Sequence, residues 1–220
     1  QQAHAGGARG WFLVLCGILA LLATSQLAVA LANWLATLLV APTVLPRMDF
    51  SKGIAPDAQT LVVIPTLIHG TQNVEDLVEA LEVRFLGNRD AHLQFCLLTD
   101  FADAREQTLP QDEALLQLAG QRIATLNERY RGTESTGSDD VFFLLHRPRR
   151  WNPGERVWMG RERKRGKLGD LNALLRGGAP EASSRVVGRI AALAGVRYVI
   201  TLDSDTQLPR DSARLLVATM

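Results

Sequence analysis

The sequence predicts an α/β domain built on a parallel sheet, preceded by one membrane-spanning helix. Three observations predict it. The 37 residues between Arg9 and Arg47 contain no Asp, Glu, Lys or Arg. From residue 60 onward, short β-branched runs alternate with stretches of helical periodicity, the pattern of a parallel sheet covered on both faces. Three predicted strand ends carry polar or turn-forming residues, Pro65-Thr66, Asp100 and Asp203-Ser204-Asp205. In parallel sheets, ligands bind beyond the carboxyl ends of the strands. A composition of 47% apolar and 21% charged residues in a chain of 220 excludes disorder.

Residues 1–10 form a short flank, and 11–40 read as the membrane helix. Of those 30 residues, 24 are apolar, and about 20 suffice to cross a bilayer. Trp11 and Trp34 stand 23 positions apart, or about 35 Å along a helix, which places one indole at each edge of the hydrocarbon. A secretory signal has a shorter apolar region and a stronger cationic start. A buried core helix is the other alternative, and 30 uncharged residues are long for one. Arg47 and Lys52 against Arg9 favour a cytoplasmic C-terminal side by a narrow margin.

Pro42, Pro46 and Pro56 mark 41–59 as a linker. The soluble domain, 60–220, opens with a strand over 60–64 that stops at Pro65. Asn73 is a candidate N-cap for a helix whose face is Val74, Leu77, Val78, Leu81 and Phe85, closed by Gly87-Asn88. A second strand over 92–99 precedes a helix marked by Leu116, Ala119, Ile123, Leu126 and Tyr130, which Pro110 can start. A polar loop over 132–140 leads to a third strand over 141–145. A basic segment, a short helix over 170–176, a loop over 177–183 and a helix to Ala194 follow. A fourth strand covers 197–202, and a last helix begins near Arg210. The chain begins with Gln1 and reads as a piece of something longer.

The net charge of +1 conceals segregation. Residues 146–167 hold nine Arg or Lys against Glu155 and Glu162, inside an otherwise acidic domain. That suggests a local anion site more than a nucleic-acid surface. Cys16 and Cys96 have no metal-ligand spacing and read as apolar filler. His69 and His146 lack metal-ligand companions and read as structural.

Asp203 and Asp205 leave their strand together and would repel each other unless a cation lay between them. Mg²⁺ takes one or two carboxylates and completes its shell with phosphate oxygens and water. The plain alternative is an acidic turn. Arg163-Lys164-Arg165-Gly166-Lys167 ahead of a helix offers point charge, close backbone approach and a positive helix end to a phosphate. Its alternatives are a solvated loop or a patch on anionic lipid. Together, the acidic pair and the basic segment describe a metal–diphosphate site. Asp100 could accept hydrogen bonds from a base or ribose, or cap the segment after it. Trp151 and Trp158 could stack nucleic-acid bases or pack the basic loop against the domain.

The segments LPRMDFSKGI (45–54), LLTDFADAREQ (97–107), WMGRERKRGKL (158–168) and YVITLDSDTQLPR (198–210) resemble the glycosyltransferase domain of the cyclic β-1,2-glucan synthases. The resemblance runs from about Asn33 to the end. It implies a Rossmann-like nucleotide-binding half of an A-type glycosyltransferase fold, using UDP-glucose with Mg²⁺ or Mn²⁺ in the bacterial inner membrane. It implies that Pro65 and Thr66 line a uridine pocket and that Asp100 contacts the uracil. It further places Lys167 at the diphosphate, Asp203 on the ribose side and Asp205 at the metal. The partners it implies are UDP-glucose, a growing glucan and the bilayer, with no nucleic acid. The glucan would be cyclised and passed to the periplasm. The general base of this family follows the D-x-D strand, so it is expected beyond residue 220, and the chain alone is expected to bind donor without turnover.

Two other classes compete. A phosphatase of the haloacid dehalogenase type also ends a strand in D-x-D. It wants Thr or Val where Gln207 stands, and its motif opens the domain. A membrane-anchored basic module explains 146–167 but leaves Asp100, Asp203 and Asp205 without a purpose.

Overall fold

The computed structural model describes residues 7–40, 46–132, 140–178 and 185–220. The polar loop expected over 132–140 and the loop over 177–183 fall mostly outside those residues. The chain forms two compact units, 1–46 and 47–220.

The first unit is helix α1 (Gly7–Leu39). Its stretch Gly10–Leu39 has a mean hydropathy of 2.3 and is long and apolar enough to cross a membrane. Its apolar side chains are exposed on every side, which suits lipid better than water.

The second unit is a mixed α/β domain. Its strands are β1 (Thr60–Ile68), β2 (Leu93–Phe101), β3 (Phe142–Arg147), β4 (Arg150–Asn152), β5 (Val157–Met159), β6 (Arg185–Val187) and β7 (Tyr198–Thr201). Its helices are α2 (Thr71–Gly87), α3 (Asp112–Tyr130), α4 (Arg163–Leu175) and α5 (Ser212–Ala218). Five strands form one sheet in the order β6-β3-β2-β1-β7, and β4 and β5 form a separate hairpin. β1, β2, β3 and β7 run parallel, as the alternation predicts, while β6 adds an antiparallel edge.

Both faces of the sheet are covered because the central strands are apolar on both sides. Val62, Ile64, Phe95, Leu97, Phe142 and Leu144 face one core with α2, α3 and α5. Leu61, Val63, Cys96, Leu98, Phe143 and Leu145 face the other, where α4 supplies Leu168, Leu171, Leu174 and Leu175. Cys96 is apolar filler there, and burial pushes its thiol up to about 12. The connecting stretch after residue 46 packs onto the domain through buried Ile54, whose N–H donates to Asp90 at 2.8 Å.

Several elements differ from the sequence reading. β1 does not stop at Pro65 but continues to Ile68. β7 pairs with β1 only as far as Val63, so the proline lies where β1 has one partner and the missing N–H is tolerated. β2 extends to Phe101, so Asp100 sits inside a strand. Asn73 lies in the first turn of α2 and not at its N-cap, which is Gly70; its side chain accepts from the His69 N–H instead. The basic segment is not a loop before a helix at 170. α4 begins at Arg163, because Lys167, Leu168, Leu171, Leu174 and Leu175 already give a continuous inner face. The helix expected up to Ala194 is replaced by β6 and a short 3₁₀ turn, Ile190–Leu193. Gly188 lies between them at φ 96°, and a Cβ there would sit 2.5 Å from the Phe143 ring.

Candidate functional site

β1 has β2 and β3 on one side and β7 on the other, so the chain reverses its progress across the sheet at the β1–β7 boundary. A crevice at that switch point is where open parallel sheets bind ligands. The two strands separate after the Leu202 N–H donates to the Val63 carbonyl at 2.9 Å. Pro65 and Thr66 stand on the β1 wall, Pro65 buried and Thr66 partly exposed. Asp203, Ser204 and Asp205 stand exposed on the β7 wall. They form a turn closed by the Thr206 N–H donating to the Asp203 carbonyl at 3.0 Å.

α4 joins the two walls. Near its start, Lys164 donates to the Asp203 carboxylate. One turn later Lys167, 2% exposed, donates to the Thr66 carbonyl and lies 3.4 Å from the Asp100 carboxylate. Burial lowers the Lys167 pKa, and Asp100 opposes that shift. The structure therefore brings Thr66, Asp100 and Lys167 together, and Asp203 joins them through Lys164.

Asp100 is 1% exposed and already engaged. Parallel pairing sets it opposite Arg147, whose Nε and Nη2 donate to its two oxygens at 2.9 Å each. The remaining arm of Arg147 donates to Asp170 at 2.7 Å. Burial pulls the Arg147 pKa down, but Asp100 and Asp170 more than offset it. Two carboxylates and two cations thus neutralise one another at the ends of β2 and β3, the condition under which buried charge is tolerated. Gly160 makes room for them, since a Cβ there would lie 2.1 Å from the Asp100 carboxylate. Both Asp100 oxygens are thus engaged within the protein.

Asp205 turns to the other side. It lines an open cleft of about 300 Å³ with Asp76, Glu79 and Arg84. Among the described residues there is no cluster of three His, Cys, Asp or Glu side chains suited to a metal ion. Asp203 already pairs with Lys164, so exposed Asp205 is the carboxylate of this turn that would be open to a hard divalent cation taking its other ligands from phosphate and water.

The basic segment is less solvated than its composition suggests. Arg149 is buried, pairs with Asp112, donates to the Ala102 carbonyl at 2.6 Å and lies over the Phe101 ring. Trp151 and Trp158 face each other across the β4–β5 hairpin, 5.8 Å between ring centroids, with Trp151 half exposed. His146 is structural, as its isolation suggests. Its Nδ1 lies 2.9 Å from the Thr99 hydroxyl, and burial lowers its pKa to about 4.

Sequence reasoning missed Arg84, Arg147 as a partner for Asp100, and the need for Gly160. Only Arg84 left a usable signal, a charge at the inner face of a helix beside Leu81 and Phe85. Its guanidinium donates to the Ser204 and Thr206 carbonyls at 2.7 and 2.8 Å.

No family model matches the chain. The resemblance read from the four segments extends over most of it. The chain is 45% identical, over 196 residues, to the cyclic beta-(1,2)-glucan synthase NdvB of Rhizobium meliloti (strain 1021). The match covers 89% of this chain and 7% of that protein, so the chain spans a small part of the relative it matches.

Proposed function

We propose that this chain is the donor-binding half of a membrane glycosyltransferase that uses UDP-glucose to build a β-1,2-glucan. The observation that carries the proposal is the crevice at the β1–β7 switch point. It is walled by Pro65-Thr66 and by Asp203-Asp205 and bridged by Lys164 and Lys167 of α4. The similarity to a curated cyclic β-glucan synthase supplies the glucan. In this reading Pro65 and Thr66 line the uridine pocket and Asp100 contacts the uracil. Asp203 lies on the ribose side. Asp205, with Asp203 beside it, would hold Mg²⁺ or Mn²⁺. Such a cation supplies charge stabilisation to the departing diphosphate. Lys167, itself buried, adds a fixed positive charge close to where negative charge develops. The acceptor hydroxyl attacks the anomeric carbon from the opposite face, aided by a carboxylate base, so the configuration inverts. That base belongs to the acceptor half of such an enzyme. α1 anchors the domain in the bacterial inner membrane with the transferase on the cytoplasmic side, and the glucan is cyclised and exported.

The test is calorimetric titration of the detergent-solubilised full-length protein with UDP-glucose, with and without Mn²⁺, beside Asp205→Ala. The expected result is binding that requires Mn²⁺ and is lost in the variant. Binding that ignores both the metal and the substitution would overturn the proposal.

A further inference from the structure

Arg84 belongs to α2, yet it has turned away from its own helix. Arg84 is 6% exposed, and its guanidinium donates from Nη2 to the carbonyls of Ser204 (2.7 Å) and Thr206 (2.8 Å), with Nε also reaching Thr206 at 3.3 Å. These two carbonyls flank Asp205 on either side in sequence. Burial draws the Arg84 pKa down with no carboxylate to offset it. Among the described residues its hydrogen bonds go to carbonyls; a buried cation without a carboxylate partner is costly, and an apolar residue would suit this helix face better. What the cation gains is a fork that matches two carbonyls at once, a geometry that Lys cannot reproduce. The Asp203–Thr206 hydrogen bond closes the same turn from within. The turn is thus held at both ends, and Arg84 shares the cleft into which Asp205 faces.

We infer that Arg84 is a positioning residue. It fixes the backbone on both sides of Asp205, so that the carboxylate is set for a divalent cation before the nucleotide sugar arrives. This rests on the donor-site reading above. Outer partners that orient a metal ligand are worth about 10–100-fold in metal affinity.

The experiment measures the Mn²⁺ concentration that gives half-maximal UDP-glucose binding in the full-length protein. Wild type is compared with Arg84→Met, Arg84→Lys and Leu81→Ala. Leu81 is buried one turn earlier on the same helix and can donate to neither carbonyl. Arg84→Met is expected to raise the Mn²⁺ midpoint by about 10–100-fold. Arg84→Lys should recover part of that shift, and Leu81→Ala should leave the midpoint in place while lowering stability. An unmoved midpoint in Arg84→Met, or an equal shift in Leu81→Ala, overturns the inference and spares the donor-site reading. Wild-type protein that needs no Mn²⁺ to bind UDP-glucose overturns both. Should Arg84→Met not fold, Arg84→Lys decides on the same midpoint: a rise supports the inference and its absence overturns it.

Discussion

Two strand ends of this sheet carry carboxylates, and they are treated in opposite ways. At the end of β2, Asp100 is enclosed, with both oxygens on Arg147 and Lys167 close by. After β7, Asp203 and Asp205 stand in solvent on a turn whose backbone, not its side chains, is tied to the domain by Arg84. In the first place the charge is consumed by the fold. In the second the fold holds the main chain, and Asp203 meets only the exposed Lys164 among the described residues. An acidic strand end is therefore no guide to ligand binding until its neighbours in the sheet are known.

The contrast can be broken most forcefully at Asp100. Asp100→Ala leaves Arg147 and Lys167 buried with Asp170 alone, and should cost about 3–5 kcal/mol in urea unfolding followed by tryptophan fluorescence. Asp205→Ala should change stability by no more than about 0.5 kcal/mol. Equal losses in the two variants would erase the distinction. A pH series sharpens it next, because His146 packs in the same buried region. Its pKa falls from 6.5 to about 4 on folding, so the unfolded chain binds the extra proton. Stability is fully present above pH 6.5 and is lost as pH falls from there toward 4, by about 3 kcal/mol. His146→Leu should flatten that slope; a slope unchanged in the variant assigns it to other groups. The smallest effect belongs to the exposed end. Lys164 and Asp203 are each about half exposed, so Lys164→Ala should cost less than about 1 kcal/mol. A loss as large as that of Asp100→Ala would show that the β7 end is a structural knot as well.

Although β1 and β2 run on past the ends read for them, the apolar helix and the parallel sheet were legible in the sequence because periodicity and charge-free runs are local signals. The partners of Asp100 were not. Arg147 lies 47 positions away and meets it through the register of two parallel strands, which no local pattern encodes. The start of α4 was hidden for a different reason. Three successive basic residues suggest a solvated loop, while the leucines that bury the helix come later in the segment. The missed glycine is of the same kind as Arg147. Gly160 matters only because a carboxylate from another strand occupies the space its side chain would take.

β7 lies at the rim of the described sheet, and Val199 and Thr201 are exposed. Its outer row of backbone donors and acceptors is a template for one more strand. A strand added there in parallel would bring its own carboxyl end beside Asp203 and Asp205. Such a strand would flank the acidic turn from the side away from β1, so the open edge of the sheet and the candidate site share one boundary.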